Sequence, residues 1–173
     1  MVYLFVQNPT TAGYISRIGC GDMVFSFFSS VSYHLEGLGN WGARFPRLLL
    51  DLCDHGIVTN KKLDELQQEL NIIETELKNY SVSKAVYDIG DLTSPIPWEL
   101  LPGAENHTLS QAYVTPRGAK SYFEVFREKI DMAKSEKADI MLIFPPEMGI
   151  YRENLWQPRE KGRKYWITDK NNP

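Results

Sequence analysis

The sequence contains few of the residues that carry covalent or metal chemistry. Among its 173 residues there are two cysteines, Cys20 and Cys53, and three histidines. The cysteines do not form a C-x-x-C pair, and no cysteine–histidine cluster has the spacing of a zinc site. Residues 1–6 are apolar, but they lack the basic region and the cleavage site of a secretory signal. We therefore expect a cytoplasmic protein with no disulfide, no metal and no cofactor.

The sequence also lacks a long apolar run and an excess of basic residues. No run approaches the roughly 20 apolar residues of a membrane helix, so we expect no membrane contact. The net charge is −3, from 19 Lys+Arg and 22 Asp+Glu. The segment 64–105 is the most acidic, with nine acids against Lys78 and Lys84. A body with this balance repels nucleic acid and attracts basic partners.

The apolar pattern that is present predicts one α+β domain over residues 1–150. Its sheet is expected to be central and mostly antiparallel, and to be packed by about three helices. The predicted strands are 2–6, 23–36 (one long bent strand or two short ones), 84–89, 111–115 and 139–144. The predicted helices are 46–55, an amphipathic one that begins after Thr59-Asn60 and runs from Leu63 to Leu77, and 117–135 opening at Thr115-Pro116.

Residues 151–173 form a separate basic tail, with six basic and three acidic residues. Its aromatic side chains are Tyr151, Trp156, Tyr165 and Trp166. Aromatic residues interleaved with Arg and Lys can bind nucleic acid. Because the body of the chain is acidic, docking of the tail on the domain itself is the favoured interpretation.

A G-x-G-x-x-G spacing at residues 37–42 raises the question of a dinucleotide site. Such a site needs an uninterrupted helix directly after the glycines, whose N-terminus binds the phosphate. Here Pro46 follows four residues later, and proline is unfavourable inside a helix. We therefore expect an irregular turn that brings three side chains against the core, those of Trp41, Arg44 and Phe45.

Other catalytic patterns in the sequence are weak. The histidines, His34, His55 and His107, are scattered, and pairing of one of them with Cys20 or Cys53 as a nucleophile stays open. Asp88 and Asp91 flank Gly90. They could form a paired-carboxylate site, but a turn-stabilising role is favoured.

Five motifs taken together resemble the immunity protein 70 family of bacterial polymorphic toxin systems. They are Arg44-Phe45-Pro46 before a helix, Glu69-Leu70 with Ile73 to Leu77, Val86 to Asp91, Pro95 to Trp98, and Tyr113 to Gly118. Each motif is short, but their order and spacing are moderately specific. The resemblance covers roughly residues 31–143 and does not extend to the tail.

The resemblance implies an immunity protein that binds a cognate toxin domain and neutralises it without catalysis. The acidic segment fits a basic, nuclease-type toxin, delivered for example by contact-dependent growth inhibition. We expect the toxin to contact the polar face of the second helix and the 88–99 loop, with Trp98 either a contact or a core residue. The predicted contact residues are Asp64, Gln67, Gln68, Glu74, Asp88, Asp91, Trp98 and Glu99. The alternatives are a small enzyme using Cys20 or a histidine, and an RNA-binding protein acting through the tail. The oligomeric state stays open.

Overall fold

The computed structural model of the protein describes residues 1–7, 13–97, 104–116 and 120–143. Its centre is a four-stranded antiparallel sheet in the order β2-β1-β4-β3. The strands are β1 (Val2–Gln7), β2 (Tyr14–Gly19), β3 (Ile57–Val58) and β4 (Asp139–Ile143). The predictions for the first and last strands are confirmed. The sequence reading missed β2, which is largely exposed, and β3, which has only two residues.

Helices make up most of the remaining described chain, which confirms the α+β class. Helix α1 (Gly21–Val31) continues as a π-helix (Ser32–Glu36), and a second π-helix spans Arg47–Asp54. They are followed by α2 (Leu63–Leu77), the short α3 (Leu109–Ala112) and α4 (Tyr122–Glu136). Short 3₁₀ helices are Asn60–Lys62, Val82–Lys84 and Ala104–Asn106. No helix within the described ranges is long and apolar enough to cross a membrane.

The core lies between one face of the sheet and the helices. Strand residues such as Leu4 and Ile140 are fully buried there with apolar residues of α1, α2 and α4. Phe27 of α1 occupies the aromatic centre of this core. The ring centroids of Phe28, Tyr113, Tyr122, Phe123 and Phe126 lie 5.3–6.1 Å from its own.

The predicted strand over 23–36 is wrong, because these residues form α1 and the π-helix after it. Aromatic and β-branched residues favour strands on propensity, but tertiary packing overrides this preference. The serines Ser26, Ser29 and Ser30 are buried together with the apolar residues. Burial on nearly every side of the helix removes the polar stripe that would have revealed a helical period.

The predicted strands over 84–89 and 111–115 are also wrong. Residues 85–89 have no regular secondary structure, and their backbone donates hydrogen bonds to α1. Val86 N lies 2.8 Å from Ser30 Oγ, and Ile89 N lies 3.4 Å from Ser29 Oγ. Residues 111–115 contain the end of α3 and one isolated bridge, between Val114 and Ser121. For residues 85–89, side-chain acceptors on α1 therefore accept the backbone hydrogen bonds that a neighbouring strand was expected to accept.

The predicted helix over 46–55 is confirmed as the π-helix Arg47–Asp54, and α2 has the predicted limits. The helix predicted over 117–135 begins later, at Tyr122. Ser121 and Glu124 form a capping box there, so this pair replaces Thr115-Pro116 as the helix start. The tail, 151–173, lies outside the described residues.

Candidate functional site

The glycine turn at residues 37–42 has the backbone conformation that its sequence requires. Gly37, Gly39 and Gly42 have φ angles of +79°, +82° and +70°, which residues with a side chain rarely adopt. As predicted, Trp41 and Phe45 are buried. Arg44 differs from the prediction because its side chain lies largely at the surface, with its guanidinium carbon 4.8 Å from the centre of the Phe45 ring.

The Glu36 carboxylate holds this turn from inside. Its Oε2 accepts a hydrogen bond from Gly42 N at 2.7 Å. Its Oε1 accepts from Arg44 N and Phe45 N, both at 2.9 Å. These backbone groups point at one negative charge, as they would at a bound anion. The anion in this fold is the protein's own side chain.

A second carboxylate binds the start of the π-helix Arg47–Asp54. Glu69 of α2 accepts hydrogen bonds from Arg47 N at 3.0 Å and from Leu48 N at 2.8 Å. It is only 9% exposed. Burial raises the pKa of Glu69 to about 7, although the two N–H donors oppose the shift. Glu36 and Glu69 thus occupy the N–H groups that a cofactor phosphate would need, which removes the dinucleotide interpretation.

Three of the predicted contact residues on α2 pair with α4. Lys134 Nζ lies 2.7 Å from Asp64 Oδ1 and also donates to Gln67 Oε1. Arg127 forms an ion pair with Glu74. The fourth residue, Gln68, is exposed. The polar face predicted on α2 is therefore divided between a seam that joins two helices and a strip that faces solvent.

The opposite flank of α2 is paired in the same way. Glu65 forms an ion pair with Arg47 at 2.9 Å, and Glu76 forms one with Arg44. Hydrogen bonding from the Arg44 guanidinium holds the pKa of Glu76 below its usual value. Because these charges are balanced within the domain, α2 presents much less net negative charge than its sequence predicts.

The segment that follows α2 is fastened along α1. Besides the two serine contacts, His34 Nε2 lies 2.8 Å from the Lys84 carbonyl oxygen, and Tyr87 OH donates to Asp22 Oδ1 at 3.0 Å. Tyr113 OH, in the core, lies 2.7 Å from Ser30 Oγ. Buried serines of α1 thereby fix the path of an outer chain segment.

Asp88 and Asp91 shape the loop at the end of this segment. Asp88 Oδ1 accepts from Gly90 N at 2.7 Å, and Asp91 Oδ1 accepts from Thr93 N at 3.1 Å. These bonds agree with the turn-stabilising interpretation. They also orient the loop, in which Leu92 is 48% exposed. Trp98 and Glu99 lie outside the described residues.

Negative charge gathers where this loop meets α1. Burial raises the pKa of Tyr87 to about 12, and the hydrogen bond to Asp22 and the charges of Asp22 and Asp88 add to the shift.

The loop and the seam on α2 are built from different contacts. Asp64 and Glu74 bind α4, whereas Asp88 and Asp91 accept hydrogen bonds inside the loop.

The histidines and cysteines considered as catalytic residues lie in different parts of the fold. His34 lies against the Tyr80 ring, with 4.4 Å between the centroids. His55 follows the π-helix Arg47–Asp54 as its C-cap, and Cys20 is the N-cap of α1. Cys53 is buried. Over the part of the chain that the structure describes, no group of three or more His, Cys, Asp or Glu residues could hold a metal ion.

Sequence reasoning missed the residues that organise this surface. They are Glu36, Glu69, Ser29, Ser30, Asp22 and Tyr87. Each acts on a partner at least six positions away in the chain, so no local pattern marks it. The glycines at 37–42 were the one available signal for Glu36, since a turn of exposed N–H groups needs an acceptor.

The fold and this surface define a small α+β domain with an ordered loop that carries acidic and apolar side chains. Residues 10–142 match the immunity protein 70 family, and the chain belongs to that family. The match confirms the resemblance and begins earlier than its motifs. No curated protein and no solved structure matches the chain. Family membership supports a role as an immunity protein, which implies binding of a cognate toxin.

Proposed function

We propose that the protein binds a basic, nuclease-type toxin domain in the cytoplasm and neutralises it stoichiometrically, without catalysis. The toxin would belong to a contact-dependent growth inhibition system or a related polymorphic toxin system. The main support is the acidic loop at 88–97, which is anchored to α1 through residues 86–89. The loop carries Asp88, which acts with Asp22 on Tyr87, and also Asp91 and an exposed apolar side chain, Leu92.

This combination of features suits capture of a basic protein. Nucleases need positive charge to bind phosphates, so an acidic loop attracts their active-site surface and speeds association. A loop already held by hydrogen bonds loses little conformational freedom on binding. Leu92 can then enter an apolar pocket on the partner as a central contact.

We propose that α2 supplies a second, weaker part of the contact. Gln68 and Asp64 are exposed on it, and Ile72, one turn after Gln68, is 43% exposed. Gln67 and Glu74 would contribute mainly by keeping α2 against α4. Trp98 and Glu99 follow the described part of the loop in sequence and are included in the proposed contact.

The charge of the loop can be tested while its side-chain-to-backbone hydrogen bonds are kept. Asp88→Asn and Asp91→Asn keep the side-chain oxygen that accepts from the backbone but remove the negative charge. For the double variant, we expect the association rate with the toxin domain to fall by about 3- to 10-fold at low salt. The difference should shrink as the salt concentration rises. Stopped-flow association kinetics would measure both effects.

Asp131→Asn provides the matched control, because Asp131 is an exposed acid on α4 outside the proposed surface. It makes the same change in charge per site and should leave the association rate within about 2-fold. If the loop variants and the α4 variant change the rate equally, net charge alone drives association and the proposed surface is wrong.

A further inference from the structure

The sheet has a second apolar face, opposite the core. Strand pairing places Ile15, Phe5, Met141 and Ile57 in one row across all four strands. A neighbouring row contains Arg17, Tyr3 and Ile143. Directly paired residues of antiparallel strands share a face, so these side chains form one continuous surface. We call these seven residues the outer face.

The outer face is separate from the core. The alternate strand residues, such as Leu4 and Leu142, belong to the buried cluster with the helices. The apolar residues of the outer face neither belong to this cluster nor pack against it. Most of them are half-buried, and Ile15 is 60% exposed. A contiguous apolar surface of this kind is often a site of interaction.

The size of the outer face limits what can cover it. Four strands about 4.8 Å apart, over two to three side-chain rows, give a face of roughly 300 Å². A stable interface with another folded protein buries about 800 Å² on each partner. One short segment of chain fits the outer face better than a second domain does.

The chain provides such a segment close by. β4 is an inner strand, and its last residue, Ile143, lies on the outer face beside Tyr3. Residues 144–173 follow it, and four aromatic side chains occur between 151 and 166. An aromatic side chain buries about 150–250 Å², so two would cover the face. Attachment next to the face also gives the segment a high effective concentration.

We propose that residues 151–166 bind the outer face of the sheet through their aromatic side chains. The tail then docks on an apolar surface, rather than on the acidic surface that charge balance suggested. Its basic residues stay at the rim and in solvent. Docking of the tail would then remove the apolar outer face from solvent.

A double-mutant cycle on the full-length chain tests this assignment. The tail change is Trp156→Ser with Trp166→Ser, and the face change is Ile15→Thr with Met141→Thr, which keeps strand propensity. We expect the tail change to lower the folding equilibrium constant about 10-fold in the otherwise unchanged chain and to raise binding of an apolar fluorescent dye. In the chain that already carries the face change, the same tail change should lower the folding equilibrium constant by less than about 2-fold.

Lys164→Ser with Lys170→Ser is the matched control and should change neither readout by more than about 2-fold. The proposal would be overturned if the tail change lowered the folding equilibrium constant equally in the unchanged chain and in the chain with the face change, or lowered it in neither. A concentration-dependent dimer that the face change dissociates and the tail change does not affect would assign the face to a second copy instead. Loss of toxin binding on the face change, with the tail change neutral, would assign it to the toxin.

Discussion

Replacing Glu36 with alanine is expected to destabilise the protein by about 2–4 kcal/mol, because one carboxylate satisfies three backbone N–H groups of the glycine turn. Gly42 and Phe45 are buried, so water replaces these bonds poorly. Chemical denaturation followed by circular dichroism would measure the loss.

Two companion variants separate the carboxylate from its surroundings. Glu36→Gln keeps one acceptor oxygen, which can serve Arg44 N and Phe45 N, so its cost should be intermediate. Glu76→Ala removes the partially exposed partner of the Arg44 side chain but leaves the turn intact, and it should cost no more than about 1 kcal/mol. Equal costs for Glu36→Ala and Glu76→Ala would show that the turn does not depend on its internal carboxylate.

Stability is expected to rise as the pH falls from 8 to 5, by about 2 kcal/mol, through Glu69. The pKa of this carboxyl is raised from 4.5 to about 7 in the folded protein, chiefly by burial. Between these values the folded state holds a proton that the unfolded state releases. The contribution is therefore complete below about pH 4.5 and is lost as the pH rises through 7.

Glu69→Gln does not titrate, so it should remove this part of the pH dependence, although it keeps only one of the two oxygens that accept from Arg47 N and Leu48 N. Because one backbone N–H loses its acceptor, the variant should be less stable than the unchanged protein at pH 5 by about 1–3 kcal/mol, and this difference should shrink as the pH rises to 8. Urea denaturation at several pH values would test this. Parallel pH curves for the two proteins would contradict the role assigned to Glu69.

Local signals in the sequence were enough for several elements. β1 and β4 have short apolar runs, and α2 has the 3-4 spacing of an amphipathic helix, so each was predicted from its own residues. α1 was not, because its serines are buried and hydrogen-bonded to Tyr113 and to residues 86–89. The sequence alone does not distinguish a serine in the core from a serine in solvent. Only the residues that surround it in the folded protein do.

The predicted site shows the same limit. Counting acids correctly marked 64–105 as rich in negative charge, but the sequence does not show that Glu65, Glu74 and Glu76 face arginines from other parts of the chain. Ion pairs of this kind depend on how helices pack. The turn interpretation of Asp88 and Asp91 needed only local geometry, and the structure agrees with it.

The glycine turn illustrates how a motif depends on its context. Its letters match a phosphate-binding fingerprint, and its N–H groups do converge on negative charge. That charge belongs to Glu36, and the helix that follows is bound by Glu69. The turn therefore stabilises the domain.

The most direct test of the central claim is a stoichiometric titration. The purified full-length protein is added to the cognate toxin domain, and the remaining toxin activity is measured. We expect the activity to fall linearly and to vanish at one equivalent, because each molecule occupies one toxin. Full inactivation by a small fraction of an equivalent would indicate catalysis, and unchanged activity at large excess would show that this toxin is not neutralised by binding; either result would contradict the account.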